Sequence, residues 1–285
     1  MPALTVPAYA KLNLTLDVLG KRPDGYHDLR MVMQSITLAD ELTVTAEPGC
    51  GITMRADLAF LPCDGRNLAA AAAQRFLEHT GRSLAVEIEL RKRIPVCAGM
   101  GGGSSDAAAV LRALNELAGG GLPPLELAGI GASVGSDVPY CVLGGTALAE
   151  GRGEKLTPLP PLPACALVVC KPPFPISTPA LFGALAGKKL RRRPDTAGLL
   201  DALSNGDLRG VAQRMYNVFE DVLPPRQGRT VAEVKARLIA GGALGACMSG
   251  TGPTVFGLFD DSAAAEETAA ELRVDFEDVF VTEAV

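Results

Sequence analysis

A glycine-rich segment at residues 95–106 is the feature that most constrains what this chain can fold into. It reads PVCAGMGGGSSD and lies between a strand-like run at residues 84–90 and a segment in which apolar residues recur at helical spacing. Glycines lack a Cβ atom, so their backbone N–H groups can approach phosphate oxygens, and a helix N-terminus adds unpaired donors and partial positive charge. The pattern predicts a phosphate-binding loop that opens a helix.

Two better-known phosphate-binding patterns fit this segment less well. A Walker A loop requires a lysine followed by serine or threonine, and no lysine follows Gly103. A dinucleotide fingerprint requires an acidic residue at a strand end about 20 residues later. Glu126 stands at that distance but falls within a predicted helix. A simple flexible turn remains the alternative, and the helix directly after the glycines argues against it.

Composition and length predict a folded protein with two domains of α+β class. The 285 residues are 48% hydrophobic and 21% charged, and strands and helices mix without strict alternation in both halves. Four prolines between residues 156 and 163 indicate a linker. We therefore expect a boundary near Pro160, with domains at residues 1–160 and 161–285.

The same composition argues against several classes of protein. A net charge of -5 gives no electrostatic reason to bind nucleic acid. No apolar run approaches the length of a membrane span, and no signal-peptide pattern opens the chain, so we expect a cytoplasmic protein. Seven cysteines without a CxxC pair and two histidines predict no metal site. A basic run at residues 188–193 is interpreted as a solvated loop.

Several secondary-structure predictions bear on the site. Residues 31–38 and 42–46 are predicted as separate strands, and residues 140–149 as a strand. A helix is predicted over residues 208–222, and another over residues 67–79.

Three further motifs carry polar residues that suit catalysis or binding. A second glycine cluster, CMSGTGPT at residues 247–254, could close over a ligand or form a plain β-turn. In the run AYAKLNL, Lys11 and Asn13 fall on one face of a strand because side chains alternate with period two. In GSDVP, Asp137 follows a glycine turn, where an aspartate usually caps the backbone. Spacing alone leaves each of these readings open.

Taken in order, AYAKLNL, PVCAGMGGGSSDAAA, GSDVP and CMSGTGPTVFG resemble the GHMP kinase superfamily, and they extend from residue 8 to residue 257. Within it, GKRPDGYHDL at residues 20–29 is similar to the 4-diphosphocytidyl-2-C-methyl-D-erythritol kinase family. The resemblance implies a ribosomal S5 domain 2-like N-terminal domain that binds ATP and a ferredoxin-like C-terminal domain. Two loop positions depart from the commonest family form. Cys97 stands where alanine or glycine is usual, and Met100 stands where leucine is usual.

The family resemblance also implies roles for individual residues. Asp137 would be the base that takes the substrate hydroxyl's proton, with Lys11 orienting it. Tyr26 and Phe182 would stack on cytosine and His27 would read its edge, whereas pattern alone would place Phe182 in the core. Asn13 and Thr178 are implied as polar substrate contacts and Asn67 as a contact on the adenine side. The implied ATP loop comprises Pro95, Val96, Cys97, Ala98, Gly99, Met100, Gly101, Gly102, Gly103, Ser104 and Ser105.

The implied reaction is transfer of a phosphoryl group from ATP, carrying Mg²⁺, to the 2-hydroxyl of 4-diphosphocytidyl-2-C-methyl-D-erythritol in non-mevalonate isoprenoid synthesis. We expect no nucleic acid, membrane or obligate protein partner. Three alternatives stay open from the residues: a homoserine- or mevalonate-type GHMP kinase, a non-catalytic nucleotide-binding relative, and a nicotinamide oxidoreductase using the glycine loop. The DGYH segment argues against the first, and the joint presence of Lys11 and Asp137 against the second.

Overall fold

The computed structural model describes residues 2–188, 190 and 192–285. The strands are β1 (Ala3–Lys21), β2 (His27–Pro48), β3 (Ile52–Ala56), β4 (Leu84–Arg91), β5 (Thr146–Gly151), β6 (Lys155–Pro158), β7 (Ala166–Lys171), β8 (Tyr216–Asn217), β9 (Gly245–Met248), β10 (Val255–Phe259) and β11 (Asp278–Glu283). The α-helices are α1 (Leu68–Thr80), α2 (Gly102–Leu117), α3 (Pro124–Ala132), α4 (Val138–Leu143), α5 (Thr178–Leu185), α6 (Thr196–Ser204), α7 (Leu208–Arg214), α8 (Pro225–Ala240) and α9 (Ser262–Leu272), and a 3₁₀ helix spans Val218–Val222.

The chain divides into two compact units, neither of which is one continuous segment. Unit 1 comprises Met1–Ala10, Leu38–Ile94 and Gly101–Gly144, and unit 2 comprises Lys11–Thr37, Pro95–Met100 and Gly145–Val285. The long strands β1 and β2 each contribute one part to each unit. The boundary predicted at Pro160 falls inside unit 2.

Unit 1 packs helices α1 and α2 on a small sheet. The second half of β2 pairs antiparallel with β4, which pairs parallel with β3. The buried faces of both helices are rich in alanine, which lets the helices approach each other and the sheet closely, and they meet apolar residues of β2 and β4. The helices predicted at 67–79 and after Asp106 are confirmed. Both could be predicted because their apolar residues recur at helical spacing.

Unit 2 contains an antiparallel four-stranded sheet in the order β11-β7-β10-β9. With α8 before β9 and α9 between β10 and β11, this is the strand order of the ferredoxin-like fold, so that expectation is confirmed. Elsewhere in unit 2, the first half of β2 pairs with β5, β5 pairs with β6, and β1 pairs parallel with the short β8.

Three local predictions were wrong. Residues 31–46 lie in one long strand, β2, which continues without a break through Ala39 and Asp40, the pair predicted to form a turn. The predicted strand at 140–149 is the helix α4 followed by β5, since Pro139 fits the first turn of a helix and Gly144 ends it. The predicted helix at 208–222 is broken after Arg214 into α7, β8 and the 3₁₀ helix.

Candidate active site

Lys11 lies in β1, in the part of that strand that belongs to unit 2, and its side chain is held by internal partners. The residue is 4% exposed. Its Nζ donates to Oδ1 of Asn13 at 2.7 Å, and its backbone N–H donates to the carbonyl of Met100 at 3.0 Å. The prediction that Lys11 and Asn13 share one face of a strand is confirmed by this contact. Burial of a lysine is costly unless its charge is paired, so the position indicates a functional group.

The amide of Asn13 is fully buried and joins the lysine to the second glycine cluster. Its Oδ1 also accepts from the backbone N–H of Gly250 at 2.9 Å, and its Nδ2 lies 3.5 Å from the sulfur of Met31. The role of Asn13 as a substrate contact remains a prediction, because these partners already occupy the amide.

The two glycine segments touch each other within unit 2. Ser249 Oγ donates to the carbonyl of Gly99 at 2.9 Å, and the N–H of Thr254 donates to the carbonyl of Ala98 at 3.4 Å. The contact requires Gly99 to be glycine: its φ is +76°, and a Cβ there would lie 2.4 Å from the carbonyl oxygen of Ser249. The residues at 247–254 thus form more than an isolated turn, since they pack against residues 98–99.

Cys97 is the non-glycine residue with positive φ among those described, at 55°. This left-handed conformation favours glycine, one of the two residues usual at this position in the family form noted above. The exposed thiol therefore stands at a position where backbone conformation disfavours any side chain.

The aromatic residues predicted to bind cytosine lie in unit 2 with partners of their own. His27 stacks on Phe182 with ring centroids 4.6 Å apart, and Phe182 meets Phe219 edge-on at 4.9 Å. Tyr26 is 52% exposed, and the guanidinium of Arg152 lies 3.9 Å from its ring centroid. His27 and Phe182 are therefore brought together, and the Tyr26 ring is covered in part by Arg152. Stacking of a base on Tyr26 and Phe182 remains a prediction.

Thr178 begins α5 and is exposed. Its Oγ1 lies 2.8 Å from Oγ1 of Thr251, in the second glycine cluster. This contact joins a predicted substrate residue to the loop that also contacts Asn13.

In the basic run at 188–193, Lys188, Arg192 and Arg193 are exposed and lie outside helices and strands, as predicted for a solvated loop, and Lys189 and Arg191 lie outside the described residues. Arg193 donates to Asp17 at 2.6 Å and to the carbonyl of Val18, and the guanidinium of Arg192 lies 3.9 Å from the ring centroid of Tyr216. These contacts link Arg192 and Arg193 to the strand pair β1–β8.

In unit 1, Gly101 and Gly102 open helix α2 as predicted. Gly101 is the N-cap residue, has a φ of 69° and has no side chain to cap the helix, so among the described residues no N-cap side chain bonds the first N–H groups of α2. Ser105 is buried and its hydroxyl donates to the carbonyl of Tyr9 at 2.6 Å, whereas Ser104 is partly exposed. This helix start has the features of an anion-binding site.

Directly beneath the helix start lies a buried ionic cluster that the sequence did not reveal. Lys92 Nζ bonds Oδ2 of Asp40 and, at 2.9 Å, Oδ2 of Asp106 in the first turn of α2. The other oxygen of Asp40 accepts from the N–H of Ile94 at 2.8 Å. Gly102 leaves room for the lysine, because a Cβ there would lie 3.2 Å from Nζ.

The Asp106 carboxyl is the less well satisfied member of this cluster. Its Oδ1 is buried without a hydrogen-bond partner among the described residues. Burial raises the pKa of Asp106 to about 7, against the attraction of Lys92 and with the repulsion of Asp40 adding to it.

Asn67 and Asp137 are the other predicted site residues in unit 1. Asn67 caps α1, since its Oδ1 accepts from the N–H of Ala69 and its Nδ2 donates to the carbonyl of Pro62. Asp137 stands at the N-cap position of α4, where its side chain makes no cap hydrogen bond within the described part of the chain. Lys11 and Asp137 belong to different units, and their pairing remains a prediction.

Two features are absent from the described residues. No group of three or more His, Cys, Asp or Glu residues in them is arranged to hold a metal ion. Within that same part of the chain, no helix combines the length and apolar character needed to cross a bilayer.

Comparisons with known proteins give consistent matches. The model of the GHMP kinases N terminal domain matches residues 67–145, and the model named GHMP kinases C terminal matches residues 199–278. The chain is 44% identical to a 4-diphosphocytidyl-2-C-methyl-D-erythritol kinase of Lachnoclostridium phytofermentans, over 96% of this chain and 94% of that protein. It is 46% identical to the enzyme of the same name from Exiguobacterium sibiricum, over 98% and 96%.

Solved structures agree at the level of fold. A crystal structure of a 4-(cytidine 5'-diphospho)-2C-methyl-D-erythritol kinase matches with a TM-score of 0.82 at 34% identity, covering 99% of both chains. A homoserine kinase from Cytophaga hutchinsonii matches with a TM-score of 0.80 at 21% identity, covering 100% of this chain and 95% of that one. The second likeness shows a shared fold alone.

Proposed function

The chain belongs to the 4-diphosphocytidyl-2-C-methyl-D-erythritol kinases of the GHMP kinase superfamily, and from this membership we propose how its residues transfer a phosphoryl group from ATP to the 2-hydroxyl of that substrate. It is an ATP-dependent small-molecule kinase of isoprenoid synthesis. The observation that carries the residue assignment is the buried Lys11, whose ammonium is held by Asn13 and which adjoins both glycine segments.

We propose that the N-terminus of α2 and the preceding loop bind the phosphates of ATP. Backbone N–H groups at the start of α2 supply donors, and phosphoryl transfer depends chiefly on such positioning and charge stabilisation. Ser104 is our candidate for the hydroxyl that faces the ligand, because Ser105 is buried against Tyr9.

Mg²⁺ is proposed to arrive with ATP and to offset charge on the transferred phosphoryl group. The described residues contain no cluster of three acidic, histidine or cysteine side chains suited to a metal, so the donor set fits an ion held mainly by phosphate oxygens. Ser104 is the protein group we propose as an additional oxygen donor.

The proposed catalytic pair is Asp137 and Lys11. A tertiary alcohol is a poor nucleophile near neutral pH, and Asp137 would take its proton during attack on the phosphoryl group. Lys11 would balance the charge of the carboxylate, with its direction set by the hydrogen bond to Asn13. We further propose that cytosine stacks on Tyr26 and Phe182 and that His27 reads its edge.

We propose a cytoplasmic location, because the ATP that the reaction consumes is available there. Action without nucleic acid or an obligate protein partner is part of the same proposal, and the net charge of -5 gives no attraction to nucleic acid.

The test is a turnover assay with purified protein, ATP, Mg²⁺ and a panel of alcohols, followed by ³¹P NMR to locate the new phosphate. We expect the 2-phosphate of the cytidylyl substrate and poor turnover of homoserine and mevalonate. Lys11→Met and Asp137→Asn should each lower kcat by about 100-fold or more, since a positioned base contributes about 10²- to 10⁴-fold. Asp201→Asn, at an exposed position of α6, is the matched control. Near-normal kcat in Asp137→Asn would overturn the catalytic assignment.

A further inference from the structure

Asn217 is a buried amide with three hydrogen-bonding partners, two of which lie in the second glycine cluster. It lies in β8 beside β1 and is 0% exposed. Its Nδ2 donates to the carbonyl of Met248 and to the carbonyl of Gly250, both at 2.7 Å. Its Oδ1 accepts from the N–H of Phe219 at 3.0 Å. One side chain therefore ties together both ends of the three-residue turn 248–250.

That turn in turn fixes the groups around Lys11. The N–H of Gly250 donates to the same Asn13 oxygen that accepts from Lys11 Nζ. Ser249 Oγ donates to Gly99 and lies 3.3 Å from the N–H of Asn13, which donates to it. The amide oxygen of Asn13 thus accepts from Gly250 as well as from the lysine that it orients.

We propose that Asn217 is a positioning residue for Lys11, acting through Gly250 and Asn13. The inference rests on the proposed catalytic role of Lys11. An amide suits the task because it alone, among side chains of this size, offers two N–H donors to two carbonyls and an acceptor to a third group. An aspartate of the same shape would set carboxylate oxygen against the carbonyls of Met248 and Gly250, and the turn would have to move.

Glu220 contacts the same region but in a different way, which separates the two roles. Its Oε1 accepts from the N–H of Met248 at 2.9 Å, and its other oxygen pairs with Lys235. Glu220 therefore anchors the end of β9, whereas Asn217 reaches the carbonyl of Gly250, the residue that contacts Asn13.

The test is a double-mutant cycle on kcat with Asn217→Ala and Lys11→Met. In the native background, Asn217→Ala should lower kcat by about 10- to 100-fold, because a misplacement of about 1 Å can cost that much, with KM for ATP little changed. In the Lys11→Met background it should lower kcat no further, since the group it positions is gone. Val234→Ala, a buried truncation in α8, controls for general loss of packing and should lower kcat by a similar factor in both backgrounds, if at all.

Two outcomes overturn the proposal. One is native-like kcat in Asn217→Ala, and the other is an equal loss in both backgrounds, which would mean a role in stability alone. If Asn217→Ala does not fold, Asn217→Thr suits the strand position, removes the two-armed amide and takes its place in the cycle with the same expected result. If Lys11→Met itself keeps near-normal kcat, the proposed function fails at Lys11, an outcome distinct from an additive cycle.

Discussion

Replacing Asp106 with asparagine should change how the stability of the protein depends on pH. The residue is 3% exposed beneath the helix start, bonded to Lys92 through one carboxyl oxygen, and the other oxygen has no hydrogen-bond partner in the part of the chain that the structure describes. Its pKa is about 7 in the folded protein, against an ordinary value of 3.8. Asparagine has the same shape and resembles the protonated form, because its NH₂ group takes the place of the O–H donor.

The direction in which stability changes with pH follows from proton linkage. Between pH 4 and pH 7 the folded protein holds a proton on Asp106 that the unfolded chain has lost, so stability falls as pH rises through this window. Each pH unit corresponds to about 1.4 kcal/mol, so the full window corresponds to at most about 4 kcal/mol. Asp106→Asn removes this loss. Near pH 4 the variant and the native protein should have the same free energy of unfolding. At pH 8 that of the variant should be higher by about 2 to 4 kcal/mol.

The assay is urea unfolding followed by circular dichroism, since the chain has no tryptophan to report by fluorescence. The quantity to compare is the difference between variant and native protein at several pH values, because all other titrating groups are common to both. Asp201→Asn is the exposed control and should show a flat difference. A difference for Asp106→Asn that is flat between pH 4 and pH 8, or that favours the native protein at high pH, would refute the reasoning.

Two further predictions concern the loops and the base-binding residues. Gly99→Ala should destabilise the protein by at least about 1 to 2 kcal/mol from its left-handed backbone, measured by thermal unfolding. Gly103→Ala, whose Cβ would lie 3.5 Å from Leu68, should retain stability; equal behaviour of the two would contradict the packing argument. Phe182→Ala or Tyr26→Ala should lower kcat/KM for the cytidylyl substrate about 5- to 150-fold without changing KM for ATP, because stacking contributes about 1 to 3 kcal/mol. If neither truncation changes kcat/KM for the cytidylyl substrate, the proposed stacking of cytosine on these two rings is wrong.

Features that depend on neighbouring residues could be predicted from the sequence. Helix α2 follows from apolar positions repeated at helical spacing, and it ends where that spacing gives way to three glycines. The shared face of Lys11 and Asn13 follows from the period of a strand. Both are local regularities, and the structure confirms both.

Of the three wrong predictions, one divided the long strand β2, and the other two concern short elements with conflicting signals. Residues 140–143 read YCVL, which favours a strand by composition, yet they form the end of α4 because Pro139 and the turn before it start a helix. The start signal was present in GSDVP but was interpreted there only as a turn. Tertiary packing against α2 and α3 then decides the conformation of so short a segment.

Contacts between residues that are far apart along the chain could not be predicted from the sequence. Lys92 and Asp40 are 52 positions apart, and Asn13 and Gly250 are 237 apart. No spacing rule connects such pairs, so the buried cluster beneath α2 and the role of Asn217 became visible only when the fold brought the residues together. The sequence pointed to Lys11 and to Asn13 on the same strand face, but it did not indicate that Gly250 and Asn217 hold Asn13 in place.

The division of the chain into interleaved units limits how this enzyme can be recombined. The chain passes from one unit to the other after Ala10, Thr37, Ile94, Met100 and Gly144. A gene fragment ending near residue 160 would encode the whole glycine loop and Lys11, yet it would lack the turn that holds the lysine's partner. Orientation of the lysine therefore depends on residues from both ends of the chain, and exchange of one half between relatives must preserve the match between Asn13 and Gly250.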